Sequence, residues 1–167
     1  MSKKIPELRV QLKKRADGTV VLQCTRRDGT VTWQRHDKHA IFYSFHDLRH
    51  FAVETTLAFR NGFYGLLADG WDIEDTGGKG ARGKLSSESI LVEQIVGLLD
   101  REQSGGARPM SAADFNAQLD EILGSDPSRP SITDNQLTLV RDRTQELHNL
   151  WVATTAGSTL DLTFNRD

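Results

Sequence analysis

Two histidines four residues apart, with carboxylates beside and beyond them, are the part of this chain whose side chains could do chemistry. The stretch is Phe45-His46-Asp47-Leu48-Arg49-His50-Phe51-Ala52-Val53-Glu54, running on to Arg60. On a helix, residues i and i+4 lie one above the other about 6 Å apart along the axis, so two imidazoles can converge on one ion. The run H-D-L-R-H resembles the zinc-binding H-E-x-x-H helix with Asp47 in the glutamate's place. His46 and His50 are therefore the expected metal ligands, and zinc is the expected ion by ligand type. Glu54 lies roughly 12 Å along the axis from His46, and helical side chains lean toward the N-terminus, so it suits a different role. It reads as an orienting partner for His50, or as a base acting through water. A further ligand has to come from elsewhere, and His36, His39, Asp69, Asp72, Glu74, Asp75 and His148 are the candidates. If the site is catalytic, the chemistry is metal-assisted hydrolysis of an unspecified substrate, with Asp47 or Glu54 as the base. The same groups also suit a polar pocket in which they hydrogen-bond one another.

The helix that positions them must have partners on two sides. At 100° per residue, Phe45, Leu48, Ala52, Thr55 and Phe59 share one stripe, with Phe51 at its edge. His46, His50 and Glu54 fall opposite, yet Val53 and Leu57 share their side, which predicts a partly covered crevice. Asn61-Gly62 is the expected C-terminal stop.

The rest of the chain supplies the frame. Leu8 to Arg15, Thr19 to Arg26 and Thr30 to Gln34 alternate as three strands, separated by Asp17-Gly18 and Asp28-Gly29, which favour two-residue type I′ hairpin turns. Trp33 falls on the third strand, in the core or in a groove on the sheet surface. Arg35 to His39 and Ala40 to Phe45 read as the connection into the histidine helix. Phe63 to Asp69 forms a short helical piece, and Gly70 to Asp75 an acidic loop close in sequence to the crevice. Gly78 to Lys84 satisfies G-x-x-x-x-G-K, but Leu85 stands where Ser or Thr should hold magnesium and no apolar strand precedes it. A basic glycine loop, a flap over the crevice, is the better reading.

Three amphipathic helices follow. The first starts at Ser86 or Ser87 and runs to about Glu102, with Ile90, Leu91, Ile95, Leu98 and Leu99 inward. Ser111 caps the second, before Phe115, Leu119, Ile122 and Leu123. Thr133 caps the third, before Leu137, Val140, Thr144, Leu147 and Trp151, with His148 on its surface. Leu160, Leu162 and Phe164 alternate in a last strand that can return to the N-terminal sheet. The expected fold is α+β over a single domain, 1–167: a small antiparallel meander, joined by the C-terminal strand and packed on a layer of about four helices.

Composition narrows the class. The 167 residues are 37% hydrophobic and 26% charged, a globular balance, and the single Cys24 rules out an intramolecular disulfide. Met1-Ser2-Lys3-Lys4 is followed by no apolar signal region and no run approaches membrane length, so a cytoplasmic protein without membrane contact is expected. Residues 1–64 hold 12 Lys and Arg against 6 Asp and Glu, and residues 65–167 hold 9 against 17, which sums to the net −2. The basic part can face nucleic acid or another acidic partner, as in a non-catalytic interaction module. It can equally face the acidic part of its own chain, the favoured reading, or that of a neighbour in a homo-oligomer.

Two resemblances attach to the histidine helix. Ser44-Phe45-His46-Asp47-Leu48-Arg49-His50 resembles the H-x-L-R-H segment of tyrosine recombinases, in which a histidine and an arginine contact the scissile phosphate. Such an enzyme also needs a second His or Trp box and a nucleophilic tyrosine near the C-terminus, whereas the tyrosines here are Tyr43 and Tyr64. The wider pattern is H-D-L-x-H-x-x-V-E, then Gly-Phe-Tyr-Gly-Leu-Leu-Ala-Asp-Gly-Trp-Asp and Gly-Ser-Thr-Leu-Asp-Leu-Thr-Phe. It is similar to small bacterial proteins of unassigned function and implies no activity.

Overall fold

Alternation of Leu8, Val10 and Leu12 with polar residues gives β1 (Leu8–Lys14) one apolar face, and β2 (Val20–Arg26) repeats it with Val20, Leu22 and Cys24. The structure is a computed structural model that describes residues 4–106 and 108–166. β3 (Val31–His36) pairs antiparallel with β2, and β4 (Thr159–Phe164) returns to pair antiparallel with β1, Leu8 opposite Phe164. The order β3-β2-β1-β4 is the expected meander closed by the C-terminal strand.

Both hairpins turn through Asp-Gly, but not as two-residue loops. Arg15 N donates to Thr19 O at 2.9 Å, Gly18 N donates to Arg15 O at 3.1 Å, and only the glycine has positive φ, 85°. Arg26, Thr30 and Gly29 repeat the pattern. Each is a three-residue loop ending in a left-handed glycine. The aspartate acts through its side chain instead, with Asp17 Oδ1 accepting from Thr19 N at 2.9 Å and Thr19 Oγ1 at 2.6 Å.

α1 (Ala40–Thr56) starts earlier and stops earlier than the sequence suggests. His39 caps it with a left-handed backbone, φ 55°, and no side-chain bond, so the usual start signal is missing. Ile41, Phe42 and Tyr43 are its exposed first turn rather than a connection. At the other end Ala58 turns left-handed and Phe59 N donates to Glu54 O at 3.0 Å, closing the helix before Asn61-Gly62.

α2 (Phe63–Ala68) and a 3₁₀ turn (Ile73–Gly77) lead to α3 (Ser87–Ser104), α4 (Ala112–Leu123) and α5 (Asp134–Ala153). The side chains of Ser86, Ser111 and Thr133 each accept from the backbone N–H three residues on. α5 buries Leu137, Val140, Thr144, Leu147 and Trp151 as expected. α3 is rotated from expectation: Ile90 is 41% exposed, while Val92 and Val96 are buried. Its stripe runs 92, 95, 96 and 99, the i, i+3, i+4, i+7 rule, which leaves residue 90 outside. Ile122 of α4 likewise points outward.

The helices lie on one face of the sheet, and polar residues of that face anchor them. Lys14 Nζ donates to Trp151 O at 2.8 Å and Thr154 O at 2.6 Å, a cation at the C-terminus of α5. Arg26 Nε donates to Leu67 O at 2.7 Å, Thr32 Oγ1 accepts from Ile73 N at 3.0 Å, and His36 meets α1. Trp33 sits on the other face, 64% exposed. One apolar cluster lies between the sheet and α1, α2 and the end of α5. A second joins α3, α4 and the start of α5, with Val53 of α1 inserted. α1 is thus held on two sides, which is what the crevice requires. Arg9–Asp161, Arg26–Asp72 and Arg49–Asp100 pair the basic N-terminal part with the acidic remainder. Among the described residues, no helix is long and apolar enough to cross a membrane.

Candidate metal centre

The i, i+4 spacing on α1 brings the rings of His46 and His50 to 4.8 Å between centroids, edge to face. Each ring is held through Nδ1 by a carboxylate. His46 Nδ1 lies 2.7 Å from Asp100 Oδ2, and His50 Nδ1 lies 3.2 Å from Glu54 Oε2. Both rings are therefore oriented with Nε2 left over. His50 Nε2 is 3.4 Å from Glu93 Oε1. Glu93 and Asp100 both come from α3, seven residues or about two turns apart, so they share one face. Arg49 donates to the second oxygen of Asp100 and is itself buried.

Glu54 is 1% exposed and serves two elements at once. Its Oε1 accepts from Tyr64 N at 2.9 Å and Gly65 N at 3.3 Å, satisfying the free amides at the start of α2. The approach is close enough that a Cβ on Gly62 would stand 2.3 Å from Glu54 Cδ, so glycine is needed there for space.

The electrostatics follow from these contacts. Burial, the largest influence, pulls His50 down, but Glu54 and Glu93 together outweigh it and push the imidazole up to about 10. Burial pushes the Glu54 carboxyl up, against the pull of His50 and the two amides. Two carboxylates thus flank one imidazole, and both favour its protonated form. Burial also works against Glu93 and Asp100, yet His50 holds the first, and His46 with Arg49 the second, below their ordinary range.

One ligand atom from each of His46, His50 and Glu93 lies within 4.8 Å of the other two. Ligands at about 2.05 Å from a tetrahedral zinc stand about 3.3 Å apart. The His50 to Glu93 separation of 3.4 Å already matches that spacing. The widest pair has at most about 1.5 Å to close, within reach of a small side-chain rotation. A His₂Glu set is also a known composition of zinc sites that keep a position open.

The triad lines a cavity of about 770 Å³ that also contains a second polar pair. His36 Nε2 and Asp47 Oδ2 are 2.8 Å apart, both residues buried, with Tyr43 stacked on His36 at 5.2 Å. Tyr64 Oη donates to Asp47 O at 2.9 Å and fixes that part of α1. Arg35, Lys38 and Glu74 stand in the lining, and Gly77 and Leu85 bring the two ends of the glycine-rich segment to it. Between those ends, Arg82 Nη2 donates to Gly70 O at 2.9 Å.

The structure thus brings His46, His50 and Asp47 into one cavity, with Asp47 turned to His36, and sets Glu54 behind His50, outside the lining. The third member of the triad is Glu93, which none of the sequence candidates anticipates. Asp72 is taken by Arg26, Asp69 by Arg166, and Asp75 accepts from Asp72 N. Glu74 lines the cavity outside the triad, and His39, whose backbone caps α1, is exposed and outside the lining. His148 is buried rather than on the surface, beyond α1, against Phe45 O at 3.3 Å. The signal for Glu93 and Asp100 is an acidic i, i+7 pair bordering the apolar stripe of α3. No protein-family model, curated protein or solved structure matches the chain.

Proposed function

We propose that this protein binds one divalent cation, zinc by ligand type, through His46, His50 and Glu93, and that the site serves metal-assisted hydrolysis. One observation carries the reading. Both histidines are oriented through Nδ1 by buried or half-buried carboxylates, the arrangement that fixes tautomer and raises basicity in metal-binding imidazoles. A divalent ion there would polarise a substrate oxygen and make water a better nucleophile at neutral pH. The remaining roles belong to the chain. Asp47 occupies the position of the glutamate in H-E-x-x-H, and with His36 it offers a proton acceptor on the wall of the same cavity. Glu54 acts as a positioning residue for His50 and for the start of α2. Arg49, through its bond to Asp100, orients His46 by way of that carboxylate.

Elemental analysis of tag-free protein loaded with zinc and desalted tests the reading, with Glu93→Gln and His46→Ala beside it. About one zinc per chain, lost in both variants while their circular dichroism is unchanged, is the expected result. Absence of stoichiometric zinc in the parent chain would overturn it.

A further inference from the structure

Behind the metal centre, between α1, α3 and α5, lies a second cavity of about 320 Å³. It holds the one buried side-chain polar atom among the described residues that has no partner, the hydroxyl of Thr144. Thr144 as a residue is 8% exposed. The absence of a bond is a matter of direction. Helical Ser44, Thr55 and Thr138 each satisfy their hydroxyl on the carbonyl four residues back, at 2.6, 2.6 and 3.0 Å. Thr144 has the same option and does not take it. An unpaired buried hydroxyl costs free energy, and Thr144 is a lining residue of this cavity.

The other groups there say what partner would suit it. Arg49 and Arg141 both line the cavity. Each guanidinium has five N–H donors. The bond to Asp100 uses one from Arg49; those to Glu102 and the Met110 carbonyl use three from Arg141. Among the described residues Glu102 is the only carboxylate in the lining, and Arg141 occupies both its oxygens. Gln103 and Gln145 add carboxamides, and Leu99 and Pro109 an apolar portion. Donors outnumber free acceptors, two of them cationic and a third a hydroxyl.

We infer that this cavity is a binding site for a small oxyanion, a carboxylate or phosphate group, held by Arg49, Arg141 and the Thr144 hydroxyl. Arg49 also holds Asp100, and Asp100 holds His46, so occupancy is communicated to the first cavity through one shared carboxylate. The anion site stands without any metal. Only its consequence for the metal rests on the function proposed above, and by linkage that consequence is reciprocal.

The test uses metal-free full-length protein in about 0.15 M salt, which screens exposed cations. Calorimetric titration with inorganic phosphate and, separately, acetate reads the affinity and shows which head group is preferred. Saturable binding of at least one is expected, weakened about tenfold in Thr144→Val, the loss of one hydrogen bond to a charged ligand, and restored in Thr144→Ser. The side-chain ¹⁵N resonances of His46 should move along the same binding curve. No saturable binding of either anion below about 10 mM, well above the weakest specific affinities, or equal affinity in Thr144→Val, would overturn the site. A His46 that stays still while the anion binds would overturn the coupling.

Discussion

His50 and His148 are equally buried, at 2% and 3% exposure, on helices that pack against each other, yet their surroundings drive them in opposite directions. His50 has a carboxylate at each nitrogen and is pushed up to about 10. His148 has a backbone carbonyl at 3.3 Å and Arg49 nearby; burial first, then that positive charge, push it down to about 4. The difference shows that burial does not set the character of a histidine. Its partners do: α3 turns acidic side chains to one side of α1, and the other side presents guanidinium groups and a hydroxyl. One side is suited to a cation, the other to an anion. Arg49 and Asp100 form the boundary between them.

The strongest way to break the acidic side is to remove its buried carboxylate. Glu54→Ala strips His50 of one partner and leaves the Tyr64 and Gly65 amides unpaired, so urea unfolding of the metal-free protein should show a loss of about 3–5 kcal/mol. A loss below about 1 kcal/mol would mean that Glu54 does not hold the site together. Asp100→Asn acts on the boundary and should have a smaller effect, felt at the metal. Chelator competition is expected to give a zinc affinity 10- to 100-fold weaker, on the order of 1.4–2.7 kcal/mol.

The pH dependence separates the two histidines more gently. His148 has a lower pKa folded than unfolded, so the unfolded chain binds more protons between about 6.5 and 4. The stability it contributes is fully present above pH 6.5 and is lost as pH falls toward 4. In metal-free protein the sign is reversed for His50, whose contribution is present below pH 6.5 and is lost as pH rises through about 10. Denaturant midpoints of parent and His148→Gln should therefore converge as pH drops from 7 to 4; parallel curves would show that His148 does not titrate between the states. The smallest effect belongs to the helix-free face of the sheet. Trp33→Ala should leave stability within about 0.5 kcal/mol by thermal unfolding, because the indole is already in water.

Residues whose geometry is fixed within one helix were legible in the sequence. His46, His50 and Glu54 follow from a period of 3.6, and so does the role of Glu54 as a partner of His50. The β-meander, the alternation of its closing strand and the caps at Ser86, Ser111 and Thr133 were legible for the same reason, since local patterns determine them. Glu93 and Asp100 were not, because their place depends on how α3 rotates against α1. That rotation is set by Val92 and Val96 packing with Val53, residues distant in sequence. The start of α1 was hidden because His39 offers no side-chain cap and three bulky apolar residues sit exposed in its first turn. The hairpin loops differed by one residue because the aspartates turn the chain through their carboxylates. His36 was visible as a metal-ligating type, but its pairing with Asp47 depends on the register of β3 beneath α1.

Zinc K-edge absorption of the loaded protein tests the metal centre most directly. The expected spectrum has two imidazole nitrogens and at least one oxygen at about 2.0–2.1 Å. A sulfur shell at about 2.3 Å, which only Cys24 or a methionine could supply, or a first shell without imidazole, would contradict a site built from His46, His50 and Glu93.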